Sequence, residues 1–232
     1  MKYTFIVLAF FTLAGCHKAA RIEINGTAQG ISNGVFGIVD VVNKPVYGEN
    51  IVKEKFALNQ QLEYAGFYMM KITNMKNTSD KHIPYEVYLE DGKYSVEVNG
   101  KDLTKYPKIT TASKTQNELS AYYRLYDELV VDIKKQIKEE TAFLKSSKAG
   151  NLESNDYLMR IEQLKDARKK EKEIEATLIE KFIEKYPQSE VAPHFIHNLD
   201  YKSDPLRYYK LFNKLTNAAK NTEEGKELQV SL

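Results

Sequence analysis

Between residues 21 and 106, apolar and polar positions alternate in short runs. Ile22 to Ala28, Val35 to Val42, Ile51 to Leu58, Phe67 to Thr73, Tyr85 to Glu90 and Tyr94 to Val98 are rich in β-branched and aromatic side chains. Gly, Asn and Asp separate them. This punctuation predicts an antiparallel all-β unit. Tyr85, Val87 and Leu89 alternate with Glu86, Tyr88 and Glu90, and after Asp91-Gly92 the alternation resumes through Tyr94, Val96 and Val98. Asp-Gly tolerates the positive φ of a tight turn, so the pattern predicts a hairpin here. A lone strand cannot bury its apolar face, and six of them predict a small two-sheet β-sandwich or an open barrel.

After Pro107 the period changes. Leu119, Tyr122, Tyr126, Leu129, Ile133, Ile137 and Leu144 recur at threes and fours, which places them along one face of a helix. Gly150-Asn151 breaks the run, and Leu158, Ile161, Leu164, Ile174, Leu178 and Phe182 define a second helix around a charged middle from Lys165 to Glu173. Two long helices with a short break predict an antiparallel hairpin. Pro187 stops the second helix. Shorter helices are expected from Val191 to Leu199 and from Asp204, with Pro205 in the first turn, to Ala219. The class is therefore α+β, with a β lobe over 21–106 and a helical lobe over 107–232. A connection this short predicts that the lobes pack on each other.

The N-terminus follows a different pattern. Lys2 precedes an uncharged, mostly apolar run from Tyr3 to Leu13, which ends in Leu13-Ala14-Gly15-Cys16. This order is that of an export signal, and the run falls well short of the roughly 20 residues a spanning helix needs. A cysteine after two small residues resembles the lipobox of Gram-negative lipoproteins, cut before a diacylated cysteine. The resemblance implies a signal peptide over 1–15, an anchor linker over 16–20, and lipid on Cys16. The expected location is the cell envelope, on the periplasmic side of the outer membrane, with the membrane as a partner through that lipid.

Charge and cysteine usage narrow the chemistry. The net charge is +2, and the lysines alternate with glutamates, so no dense basic face is available for nucleic acid. Cys16 is the single cysteine, so an acylated chain keeps no thiol for a disulfide, a redox pair or a nucleophile.

Candidate sites are few. His194 and His197 stand at an i, i+3 spacing with Asp200 nearby, but zinc needs further ligands, and His17 and His82 lie in other regions. No metal and no cofactor are expected. Glu139-Glu140 and Glu223-Glu224 are adjacent carboxylates of the kind that is usually solvated. No phosphate loop or nucleophile elbow occurs. Among the 16 tyrosines, Tyr122, Tyr123 and Tyr126 cluster early in the first long helix, and Tyr208-Tyr209 form a second group. Such amphipathic rings suit either packing between the lobes or a partly wet binding seam for a peptide or glycan, and helical spacing favours packing.

The whole order is a lipobox, Ile24-Asn25-Gly26 opening a β domain, Tyr88-Leu89-Glu90-Asp91-Gly92-Lys93, a helical hairpin, Phe182-Ile183-Glu184-Lys185-Tyr186-Pro187-Gln188-Ser189, and Gly225-Lys226. It resembles the N-terminal domain of unknown function that precedes the thioredoxin-like module in lipid-anchored envelope proteins of Gram-negative bacteria. In such proteins the chain runs on into a thioredoxin fold with Cys-x-x-Cys. Here the sequence ends at Leu232, so the family's redox residues have no positions onto which to be carried. The expectation is a non-catalytic, lipid-anchored binding or accessory protein. The alternative is the accessory half of a thiol-disulfide system, working with a separate or missing thioredoxin-fold domain.

Overall fold

The computed structural model describes residues 19–76, 84–146 and 153–232. Eight strands form one sheet: β1 (Ala20–Gln29), β2 (Asn33–Val39), β3 (Pro45–Val52), β4 (Lys55–Leu62), β5 (Gly66–Asn74), β6 (Tyr85–Leu89), β7 (Gly92–Asn99) and β8 (Lys108–Thr111). Their order across the sheet is β6-β5-β2-β3-β4-β1-β7-β8. All pairs are antiparallel except β1 with β7, which run parallel. Only two residues separate β6 from β7, yet the two strands stand at opposite sides of this order. The sheet must therefore curl round on itself, and it forms an open half-barrel.

The hairpin predicted at Asp91-Gly92 is not formed. A two-residue turn of that type needs positive φ at both central residues, and of this pair only Gly92 has it, at 153°. The dipeptide is instead a corner between the two ends of the curl. The Asp91 carboxylate accepts from the Arg21 amide of β1 at 2.6 Å, and the Tyr94 hydroxyl accepts from the Glu90 amide and donates to the Glu90 carbonyl, at 2.8 and 3.0 Å. The true tight hairpin lies inside the run Ile51 to Leu58. Lys53 and Glu54 have φ of 51° and 67° and join β3 to β4. Neither residue is a usual choice there. The turn is held from outside, by the Ala28 amide on the Glu54 carbonyl, the Gly30 amide on the Glu54 carboxylate and the Lys53 amide on the Ser32 carbonyl. β3 and β8 are further strands that the alternation missed, the latter beginning after residue 106.

The period-two pattern fills the half-barrel. Ile22, Ile24, Phe36, Ile38, Ile51, Tyr68, Met70, Ile72 and Val87 turn inward and are at most 2 % exposed. Phe36 and Phe56 stack at its centre, 4.3 Å apart. Phe56 lies over Gly26, where an added Cβ would come within 2.0 Å of the ring, so only glycine fits beneath it.

The helical lobe comprises α1 (Lys114–Leu144), α2 (Ser154–Lys185), α3 (Ala192–His197), a 3-10 turn at Tyr201–Ser203, α4 (Pro205–Asn213), α5 (Asn217–Lys220) and α6 (Glu223–Ser231). α1 and α2 form the expected hairpin, and their predicted break at Gly150-Asn151 lies outside the described residues. Across it Arg160 donates to Glu140 at 2.8 Å and covers the Phe143 ring. The helix expected to run to Ala219 ends at Asn213. The hydroxyls of Thr216 and Thr222 then cap two further helices, accepting from the Ala219 and Gly225 amides. The lobe's core is Leu119, Tyr122, Leu178, Ile179, Phe182, Phe195, Phe212 and their neighbours, and Phe67 and Tyr88 on the outer face of β5 and β6 pack against it.

Candidate functional site

The free side of β6 faces α1, and side chains complete its hydrogen bonding where a ninth strand would have paired. Gln116, fully buried and capped into α1 by Ser113, accepts from the Tyr88 amide at 2.7 Å and donates to the Ser120 and Tyr106 hydroxyls. The Tyr106 hydroxyl in turn donates to the Glu86 carbonyl at 2.7 Å, and the Tyr106 amide donates to the Asp127 carboxylate of α1. Gln116 thus satisfies backbone and side chain together, and little of the seam is left unpaired.

At the same place Glu86 projects from the outer face of β6 into the helices. Its carboxylate accepts from the Tyr123 hydroxyl at 2.7 Å and from His194 Nε2 at 2.9 Å, while His194 Nδ1 donates to Glu224 of α6 at 2.5 Å. The imidazole stacks on Phe67 with ring centroids 3.7 Å apart, and the residue is only 6 % exposed. Burial alone would lower the His194 pKa. The hydrogen bonds and negative charge of Glu224 and Glu86 overcome it and raise the value to about 9. Burial would conversely raise the Glu86 pKa, and the bond and charge from His194 and the bond from Tyr123 lower it. Glu86 and His194 are therefore ionised together at neutral pH. An imidazolium that donates both N–H groups has no lone pair with which to act as a base or ligate a metal.

The sequence-predicted residues separate in this framework. His194 is spent on its two carboxylates, whereas His197, three residues on, is exposed beside Tyr201, so the two imidazoles do not converge. Glu224 is not merely solvated, since it holds His194, and Glu140 holds Arg160. Tyr122, Tyr123 and Tyr126 point in three directions. Tyr122 stacks on Phe195 at 3.6 Å inside the helical core. Tyr123 faces the sheet, bound to Glu86 and stacked on Tyr106 at 4.8 Å. Tyr126 reaches across the hairpin to Glu171 and Glu175. Burial, followed by neighbouring carboxylates, raises the pKa of all three. Glu86 and Gln116 escaped notice in the sequence because nothing near them marks them out. Leu13, Ala14, Gly15, Cys16, His17 and His82 lie outside the described residues.

Two cavities open on the outer face of the sheet, and Tyr122, Tyr123 and Tyr126 line neither. The larger, about 730 Å³, is lined by Asn25, Thr27, Asn50, Lys55, Ala57 and Ser95 among others. The second, about 510 Å³, adjoins it and includes Lys53, Lys105 and Lys108. No described helix is long and apolar enough to cross a membrane. No protein-family model and no curated protein matches the sequence.

Proposed function

We propose that this chain is a non-catalytic, lipid-anchored envelope protein that works as a binding or accessory module on the periplasmic side of the outer membrane. One observation carries the reading: a positive residue, an apolar run and Leu13-Ala14-Gly15-Cys16 stand directly before the first strand at Ala20. Acylated at Cys16, the chain has no other thiol. The Glu86–His194 ion pair is enclosed between sheet and helices and hydrogen-bonded to protein, so it supports a structural part over a catalytic one. The order of motifs from Ile24-Asn25-Gly26 to Gly225-Lys226 favours a second reading, in which the module serves a separate thioredoxin-fold partner.

The anchor is tested by metabolic labelling with a radioactive fatty acid. Wild type takes up label, and Cys16→Ser accumulates unlabelled precursor. Equal label in the two proteins would refute the assignment.

A further inference from the structure

β3 is paired with β2 from Val39↔Pro45 to Asn33↔Val52, and β4 with β1 from Ala20↔Leu62 to Thr27↔Lys55. With each other β3 and β4 share a single pair, Val52↔Lys55, next to their turn, and they diverge from it. The half-barrel therefore has a split in its wall. Beyond the turn one side chain bridges it among the described residues: the Tyr47 hydroxyl of β3 donates to the Gln61 carbonyl of β4 at 2.5 Å. That bond shows which backbone groups of β4 face the split. Successive residues of a strand turn their backbone groups to opposite sides, so Asn59 and Ala57 face it as Gln61 does. No hydrogen bond between described residues occupies the main-chain groups of Ala57 or Asn59 on that side.

The larger cavity borders this split at the β3–β4 end, where Asn50, Val52, Lys55 and Ala57 line it, and extends from there over β1 and β7. Its volume, about 730 Å³, is within the usual range for ligand sites, roughly 300 to 1,000 Å³. Its lining is mostly uncharged, with polar residues such as Asn25 and Asn50 beside apolar ones such as Val52 and Val96, and its two charges, Lys55 and Glu97, are of opposite sign. A hydroxyl-rich glycan would want an aromatic platform, and the one ring in the lining, Phe56, is turned inward onto Phe36. Two diverging strand edges instead complement a ligand that brings backbone donors and acceptors at a two-residue repeat. The geometry points to an extended, uncharged polar peptide segment of a partner protein, pairing as an added strand along Ala57 and Asn59 of β4. This names the ligand class for the binding-module reading and rests on that reading, but not on the lipid anchor.

The full-length protein, labelled with ¹⁵N and held in mild detergent, tests it by amide hydrogen exchange. In the free protein the Ala57 and Asn59 amides exchange at least about tenfold faster than that of Leu58, which points to β1. Adding acetyl-Thr-Asn-Thr-Val-Thr-Asn-Thr-amide at millimolar concentration slows both by about tenfold and shifts their resonances. The same peptide N-methylated at alternate residues, which removes its ladder donors, has no such effect. Amides already protected in the free protein, no protection by the parent peptide, or equal effects of the two peptides would each overturn the proposal. A response to chitohexaose alone would assign the groove to a glycan, overturning the peptide while leaving the binding-module reading in place.

Discussion

Replacing His194 by phenylalanine keeps a flat ring against Phe67 and removes both donors that serve Glu86 and Glu224. Of the two carboxylates, Glu86 is the more buried, with its side chain 13 % exposed against 29 % for Glu224. Glu86 retains only the Tyr123 hydroxyl, and breaking a buried pair by removing one partner costs about 3 to 5 kcal/mol. The pH profile carries a second signature. The imidazole has a pKa of about 9 when folded, against an ordinary value of 6.5. Its contribution is therefore complete below pH 6.5 and is lost as pH rises towards 9. At about 1.4 kcal/mol per unit, the wild type should lose up to about 3 kcal/mol across that interval from this group. In His194→Phe the burial of Glu86 is no longer offset by the imidazolium. Its pKa should then rise above the ordinary carboxylate value, so the variant regains stability as the solution is acidified. Urea denaturation at pH 4.5, 6, 7.5 and 9, with circular dichroism and an unchanged m-value as the control, measures both effects. A variant within about 1 kcal/mol of wild type at pH 6 would refute this account of the buried charges. So would a wild-type profile flat from pH 6.5 to 9 once other groups are allowed for.

Two further substitutions probe the frame around the site. Gln116→Leu leaves the part-buried Tyr88 amide without an acceptor and removes one donor from the Tyr106 hydroxyl, at about 2 to 4 kcal/mol in urea melts; a loss below about 1 kcal/mol would mean that β6 does not depend on this side chain. Gly26→Ala drives a methyl group into the Phe56 ring and should lower stability by about 1 to 3 kcal/mol. Adding Phe56→Leu should recover part of it, and strictly additive losses would argue against that contact.

The α+β class, the helical hairpin and most strands were legible because they rest on local periodicity. Leu119 and Tyr122 on one helix, and Leu178 and Phe182 on the other, recur at helical spacing and meet in one core. The turns were less legible, because long-range contacts decide them. Asp91-Gly92 has the composition of a hairpin and becomes a corner, tied to β1 by Arg21. Lys53-Glu54 lacks that composition and forms a hairpin, because Ala28, Gly30 and Ser32 hold it in place. The site was legible only in part. His194 drew notice through its spacing to His197, yet its partners lie 108 and 30 residues away, at Glu86 and Glu224. No pattern along a chain marks a pairing at such separations.

The stoppered edge of β6 also orders the events of biogenesis. Tyr88 receives its acceptor from a residue 28 positions later, and Glu86 waits for a histidine 108 positions later. A chain emerging from the ribosome therefore displays an unfinished strand edge until α1 follows it, and an uncompensated carboxylate until α3 has emerged as well. Such edges recruit other strands. Gln116 closes that edge first, and the later arrival of α3 and α6 supplies the counter-charge that the Glu86 carboxylate still lacks.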